Sequence, residues 1–127
     1  MIDPADLLAA AKELSNSKKP LVNDEVCART AANRAYYAAY LVTREEIRKQ
    51  YGNPKYDVHH APLSTGLSQN AATATLGSRL AALRLQRNDA DYHPTDLTVN
   101  RLTVALRLKD AEYVIENASK VKMPLGL

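Results

Sequence analysis

Apolar residues recur at helical spacing along most of the chain, and this pattern predicts its main elements. A first helix begins at Asp3-Pro4, where a capping side chain precedes a proline at the first helical position. The polar stretch from Ser15 to Pro20 then interrupts the pattern. A long second helix is predicted from about Glu25 to Tyr51, because apolar residues occupy two of its faces, and Gly52 is a natural stop.

The rest of the chain predicts two more long helices. The stretch from Gly52 to Asn70 contains glycine, two prolines, asparagine and serine, which indicates a loop with at most one short helix. A third helix is expected from about Ala71 to Asp91, and a fourth, capped by Thr95 or Asp96, continues to about Lys120. No segment shows the alternation of a strand. The expected fold is all-α, an up-and-down bundle of four main helices in a single domain, with a long loop or short helix between the second and third.

The densest group of reactive side chains is the octet from Arg87 to Pro94, which contains a cation, an amide, two carboxylates, a phenol and an imidazole. A regular helix turns by about 100° per residue, so six steps would leave Arg87 and His93 about 120° apart. Pro94 disfavours the helical conformation at His93 and cannot donate a helical hydrogen bond. We therefore expect the helix to close near Tyr92 and the imidazole to swing back toward the guanidinium.

Arg87 and His93 form a pair suited to the cleavage of RNA. A guanidinium is a planar fork of donors that fits a phosphate, and an imidazole exchanges a proton near neutral pH. Because RNA supplies its own nucleophile, the 2′-hydroxyl, this chemistry requires neither a metal nor another cofactor. The net charge of +3 permits an acidic partner such as RNA without requiring one. A simpler interpretation is that Arg87 and Asp91 form an i, i+4 ion pair of little energetic value.

Two parts of the sequence carry a resemblance to a known family. The octet resembles the RxxxxxH signature of HEPN domains, and Leu83 to Arg87 with Ala90 to Tyr92 read like that family's third helix. Asn33 to Tyr40 resembles its second helix, and the resemblance extends over roughly Asp3 to Val121. It implies a HEPN-like helical fold and a metal-independent endoribonuclease, acting as a homodimer in a toxin or defence role. The arginine and histidine of the octet would then be catalytic.

Three further residues are candidates for substrate binding: Asn88, Tyr92 and Arg34. In the family the position after the arginine is often polar and lies in the site, which implies that role for Asn88. Tyr92 has the chemistry to stack on a base, but we expect it to be a buried core ring. Arg34 resembles an arginine of the family's second helix, and it needs a partner because it lies between apolar positions.

The remaining aromatic and histidine residues are expected to lie outside the site. Tyr36, Tyr37 and Tyr40 are most simply interior or interface aromatics. His59 and His60 are adjacent in the predicted loop, where we expect both to face solvent. No ligand spacing around them supports a metal site, and we expect none.

Composition and one departure from the family pattern bear on the biological role. The single cysteine excludes an intramolecular disulfide, and no apolar run approaches the ~18 residues of a membrane span, so we expect a cytoplasmic protein. Some toxins of the family carry a tyrosine two residues after the histidine, which a partner nucleotidyltransferase modifies with AMP. Thr95 stands there in this chain, so that antitoxin class is not implied. An antitoxin protein is still the partner that such a toxin usually has.

Two other functions fit the same sequence. The chain could be a non-catalytic HEPN module that binds a nucleotide or a partner protein. It could also be a purely structural bundle in which the octet is accidental. Cleavage of RNA by the purified protein would separate the endoribonuclease from both.

Overall fold

A computed structural model describes residues 3–16, 24–92 and 101–127. Within these ranges every regular element is helical and no strand is present, which confirms the all-α prediction. None of the helices described there has the length and hydropathy of a membrane span. The described residues form five α-helices and a final 3-10 turn: α1 (Pro4–Asn16), α2 (Asp24–Tyr51), α3 (His60–Ser68), α4 (Ala74–Tyr92), α5 (Arg101–Asn117) and Ala118–Lys120.

Local sequence signals set the start of α1 and the end of α2. The Asp3 carboxylate accepts a hydrogen bond of 2.9 Å from the backbone N–H two residues later, which caps α1. Gly52 has a φ of +68°, a left-handed conformation that glycine adopts without steric cost. Its N–H bonds to the Lys49 carbonyl, and the Asn53 N–H bonds to that of Arg48. This pair of bonds is the Schellman arrangement, so Gly52 ends α2 as predicted.

Helix α2 is the centre of the bundle, because α1, α4 and α5 all pack against it. Its packing surface consists largely of alanines, whose short side chains let neighbouring helices approach closely. Tyr36 and Tyr40 lie among them and are also buried, which confirms the prediction that they are interior aromatics. The alanines that are no more than 2% exposed are Ala28, Ala31, Ala32, Ala35, Ala38 and Ala39.

The short helix α3 lies in the stretch where a loop with at most one short helix was expected, and it packs closely on α4. Leu63 and Leu67 of α3 are buried in the core. A Cβ built at Gly77 of α4 would lie 2.5 Å from the Ser68 backbone nitrogen and 2.8 Å from the Ser64 carbonyl oxygen. A larger residue at Gly77 therefore cannot fit unless α3 moves.

An ion-pair group ties α4 to α5. Asp110 of α5 is only 5% exposed, and its two oxygens accept hydrogen bonds from Arg79 at 2.7 Å and Arg107 at 2.9 Å. All three side chains line an open groove between the two helices. Because a buried carboxylate is costly without partners, the two arginines have a structural explanation.

Candidate functional site

Arg87 of α4 is held by neighbours on two helices, and its side chain is only 13% exposed. One terminal nitrogen donates to the Tyr37 hydroxyl of α2 at 2.8 Å, and the other donates to the Asn88 side-chain oxygen at 2.9 Å. The Nε atom lies 3.2 Å from an Asp91 oxygen, but without the geometry of a hydrogen bond. The i, i+4 ion pair between Arg87 and Asp91 is therefore present, but Arg87 is also held by hydrogen bonds to Tyr37 and Asn88.

The guanidinium of Arg87 also keeps donors for a ligand. It has five N–H groups, and two of them are used in the bonds to Tyr37 and Asn88. Each terminal nitrogen therefore retains one N–H that has no hydrogen-bond partner within the described ranges.

Three tyrosine rings surround this guanidinium. Its central carbon lies 5.4 Å from the ring centroid of Tyr36, 5.3 Å from that of Tyr37 and 5.7 Å from that of Tyr92, within the range of cation–π attraction. Partial burial alone lowers the pKa of Arg87. The hydrogen bond to Tyr37 and the nearby Asp91 carboxylate outweigh that effect and raise the pKa above its ordinary value. The Arg87 guanidinium therefore stays positively charged.

Two side chains of α2 hold the end of α4 on which the site lies. Arg29 donates to the carbonyl oxygens of Asp89 at 3.0 Å and Ala90 at 2.8 Å, which lie in the last turn of the helix. Asn33 donates to the Asp91 carboxylate at 3.1 Å. No sequence pattern points to these contacts, because the partners are 58 to 61 positions apart along the chain.

His60, the first residue of α3, belongs to the same group of side chains. Its Nδ1 lies 2.5 Å from the Tyr36 hydroxyl, and its ring stacks on that of Tyr40 with the centroids 3.8 Å apart. The Tyr37 ring meets it edge-on at 6.0 Å. Tyr36 and Tyr37 thus lie next to both the imidazole and the Arg87 guanidinium. We call Tyr36, Tyr37, Tyr40, His60 and Arg87 the Arg–Tyr–His cluster.

The surroundings keep both partners of the His60–Tyr36 hydrogen bond uncharged. Burial lowers the pKa of His60 below its ordinary value of 6.5, and the positive charges of three nearby arginines act in the same direction. Burial raises the pKa of Tyr36 to about 12, although Arg84 and Arg87 oppose the rise. At pH 7 the bond therefore joins a neutral imidazole to a phenol.

The structure brings some of the predicted site residues together and not others. Arg87 and Asn88 are bonded to each other. Arg34 is exposed and has the partner that was expected, because it donates to Asn33, the preceding residue, at 3.2 Å. Its role in substrate binding stays a prediction. The prediction that Tyr92 is a core ring was wrong. It is 66% exposed, because its ring lies over the Arg87 guanidinium near the surface and not in the interior.

His93, the predicted acid–base residue, lies outside the described residues, as do Pro94, Thr95 and Asp96. Helix α4 extends to Tyr92, the last residue before this gap. The return of the His93 imidazole toward Arg87 therefore stays a prediction.

The expectation that His60 faces solvent was wrong, whereas the neighbouring His59 is exposed as expected, with 70% of its side chain accessible. The sequence did contain a signal for this. Tyr36 and Tyr40 lie one turn apart on an alanine-rich helix, and a buried phenol usually needs a hydrogen-bond partner. Tyr40 donates to the Val58 carbonyl at 2.5 Å, and Tyr36 pairs with His60. The segment after α2 supplies both partners.

Metal-binding side chains are not gathered within the described ranges, where no set of three His, Cys, Asp or Glu residues could hold an ion. The thiol of Cys27 is free and partly exposed. The polar side chains of the described site are those of the Arg–Tyr–His cluster together with Asn33, Asn88 and Asp91.

Comparisons with protein-family models, with curated proteins and with solved structures gave no match to this chain. The HEPN resemblance of the octet and of α2 therefore stays a prediction. What the protein does must be inferred from the site itself together with that resemblance.

Proposed function

We propose that the protein is a metal-independent endoribonuclease of the HEPN type, which cleaves RNA through its own 2′-hydroxyl. The environment of Arg87 supports this most. Its permanently charged guanidinium is fixed by Tyr37 and Asn88, and it keeps N–H donors that no described residue uses. Such a planar fork of donors is well suited to a phosphodiester. The octet supplies an imidazole six positions later, at His93.

In the proposed reaction the RNA provides the nucleophile, and the protein provides charge and proton transfer. His93 takes the proton from a 2′-hydroxyl, whose oxygen forms a bond to the adjacent phosphorus while the bond to the 5′-oxygen breaks. His93 then delivers that proton to the leaving 5′-oxygen. Arg87 stabilises the negative charge that builds up on the phosphate oxygens in the transition state. The products are a 2′,3′-cyclic phosphate and a 5′-hydroxyl.

Two neighbours of Arg87 have roles in this proposal. Asn88 orients the guanidinium through the bond to its terminal nitrogen. The exposed Tyr92 ring beside Arg87 provides a surface on which a base next to the cleaved phosphate would stack. The HEPN resemblance supports a toxin or defence role, with RNA, a second copy of the chain and an antitoxin protein as the partners.

A non-catalytic module that binds a nucleotide or a partner protein is the second candidate. The contacts of Arg87 also fit it, because the N–H donors left free on the guanidinium can hold a phosphate without any acid–base residue. Such a module would bind RNA or a nucleotide and leave it uncut.

Purified protein is expected to cut total RNA equally fast with and without a metal chelator, because no step of the proposed reaction uses a metal ion. The fragments should end in a 2′,3′-cyclic phosphate and a 5′-hydroxyl. End-specific labelling distinguishes these ends from a 3′-hydroxyl and a 5′-phosphate. RNA with methylated 2′-hydroxyls should stay intact. Loss of cleavage on chelation would contradict this mechanism, and binding without cleavage would favour the non-catalytic module.

The proposal also predicts a homodimer. Helix α5 exposes Leu102 and Leu106, at 74% and 55%, one turn apart on the same face, and Leu85 of α4 is 64% exposed. Two exposed leucines on one face of α5 form an apolar patch of the kind that a partner covers. Light scattering at micromolar concentration should therefore give about twice the 14.0 kDa mass of one chain.

A paired substitution tests whether this leucine surface forms the dimer. Leu102→Glu with Leu106→Glu is expected to give a monomer that keeps its helical spectrum, because charges replace apolar contacts across the interface. Leu125→Glu is the matched control, since Leu125 is 89% exposed in the C-terminal segment. If the paired substitution leaves the dimer intact, the interface lies elsewhere. If the wild-type protein is a monomer, the predicted homodimer is wrong.

A further inference from the structure

The Arg–Tyr–His cluster contains a second group that can bind a phosphate, and it lies outside the octet. The two ring nitrogens of His60 differ in their surroundings. Nδ1 lies 2.5 Å from the Tyr36 hydroxyl, whereas Nε2 has no hydrogen-bond partner in the described part of the chain. In a neutral imidazole one nitrogen donates and the other accepts, so the position of the single proton decides what Nε2 can do.

The buried Tyr36 hydroxyl fixes the position of that proton. Tyr36 is 0% exposed, and His60 provides its hydrogen bond. A buried O–H without an acceptor is costly, so the phenol donates to Nδ1. The neutral imidazole of His60 then carries its proton on Nε2, the nitrogen that has no protein partner among the described residues.

The groups packed around His60 keep the imidazole neutral at pH 7. Burial and positive charge both lower its pKa below 6.5, so it is uncharged above that pH. Its Nε2 is consequently a neutral N–H donor and not a proton acceptor. Among the described residues, the titratable and charged groups around it are Tyr36, Tyr37, Tyr40 and Arg44 from α2 and Arg84 and Arg87 from α4.

We propose that His60 is a second phosphate-binding residue of this site, which presents its Nε2–H to a phosphate oxygen of an RNA strand that Arg87 also contacts. The inference rests on the proposed function for the identity of the ligand, but not on the cleavage step. The Tyr37 ring centroid lies 5.3 Å from the central carbon of the guanidinium and 6.0 Å from the imidazole centroid. A strand of RNA is long enough to contact both groups across this ring.

Two substitutions distinguish three roles that His60 could have: a hydrogen-bond donor, a packed ring or an acid–base group. His60→Phe keeps a ring that can stack on Tyr40, but it removes both the Nε2 donor and the Nδ1 acceptor of the Tyr36 hydroxyl. His60→Gln keeps an N–H donor near the Nε2 position but cannot exchange a proton near pH 7. His59→Phe is the matched control, because it makes the same change at the adjacent, exposed histidine.

The test is the binding of a fluorescent 2′-O-methyl oligoribonucleotide, followed by anisotropy. This probe cannot be cut through its 2′ position, so cleavage does not enter the measurement. His60→Phe is expected to bind about ten- to a hundredfold more weakly, since it loses one hydrogen bond to a charged group. His60→Gln and His59→Phe should bind close to wild type. A His60→Gln protein as weak as His60→Phe would overturn the donor role.

His60→Phe binding that equals wild type would also overturn the inference, and so would a wild-type protein that does not bind the probe. Cleavage of unmodified RNA is measured separately, so binding without cleavage rejects the proposed function alone. Nitrogen-15 NMR of the wild-type imidazoles gives a result that does not depend on how a variant folds. It should show an unprotonated Nδ1 at His60 and a His60 Nε2–H resonance that shifts when the probe is added. Protonation on Nδ1, or no shift at His60, would overturn the proposal.

Discussion

His93→Ala is expected to slow RNA cleavage by about 10²–10⁴-fold, the usual effect of losing a general acid–base group. The proposed reaction gives His93 both proton transfers, and His93 is the only imidazole in the octet. The free energy of unfolding should change by no more than about 0.5 kcal/mol, because Pro94 disfavours a helical, packed position for His93. Single-turnover cleavage and thermal unfolding of the same preparation measure the two quantities.

His59→Ala is the control for this variant, because it removes an imidazole whose side chain is 70% exposed. It should cut RNA at the wild-type rate. If His93→Ala also cuts at that rate, the octet is not the active site. If His93→Ala unfolds instead, His93 is a structural residue, and the resemblance of the octet to the RxxxxxH signature is accidental.

Arg87→Lys completes the same experiment. It keeps a positive charge, but an ammonium group cannot bond to Tyr37 and Asn88 and still present a planar fork to the phosphate. Activity should therefore stay far below wild type in Arg87→Lys as well as in Arg87→Ala. Lys49→Ala removes an exposed positive charge near the end of α2 and should leave cleavage unchanged. Full activity in Arg87→Lys would mean that the site needs only a point charge.

The long helices could be predicted because their apolar spacing depends on residues three and four positions apart. The third predicted helix starts at Ala71, but α4 begins at Ala74. The difference has a local cause. The Asn70 side chain accepts a hydrogen bond from the Ala72 N–H at 3.0 Å, and the Thr73 hydroxyl donates to the Leu67 carbonyl at 2.8 Å. Side chains that bond to nearby backbone in this way compete with helix formation.

The candidate site could be predicted only where its chemistry is local in the sequence. Arg87 and Asn88 stand together in the octet, so the concentration of reactive side chains identified them. His60 and Arg29 depend on contacts with residues 24 and about 60 positions away, respectively. A single sequence indicates that a buried Tyr36 needs a partner, but it does not identify which distant residue supplies it. The structure adds both to the group of side chains around Arg87.

Gly77→Ala is expected to destabilise the protein, although alanine is the better helix former by about 1 kcal/mol. Helix propensity alone would predict that replacing Gly77 by alanine stabilises its helix. In the fold, a Cβ at this position would lie 2.5 Å from the Ser68 nitrogen and 2.8 Å from the Ser64 oxygen. These are backbone atoms, which cannot turn away as a flexible side chain does. Overpacking of this kind costs about 1–3 kcal/mol, which outweighs the gain in propensity.

Thermal unfolding followed by circular dichroism measures this balance, with Ser78→Ala as the control. Ser78 is the next residue of α4 and is exposed, so its substitution reports helix propensity without a steric contact. The melting temperature should hold or rise slightly in Ser78→Ala, fall in Gly77→Ala and fall further in Gly77→Val. Because α3 begins at His60, its displacement should also weaken oligonucleotide binding in the Gly77 variants. If Gly77→Ala instead melts as high as Ser78→Ala, α3 does not pack this closely on α4, and the position of His60 beside Tyr36 loses its support.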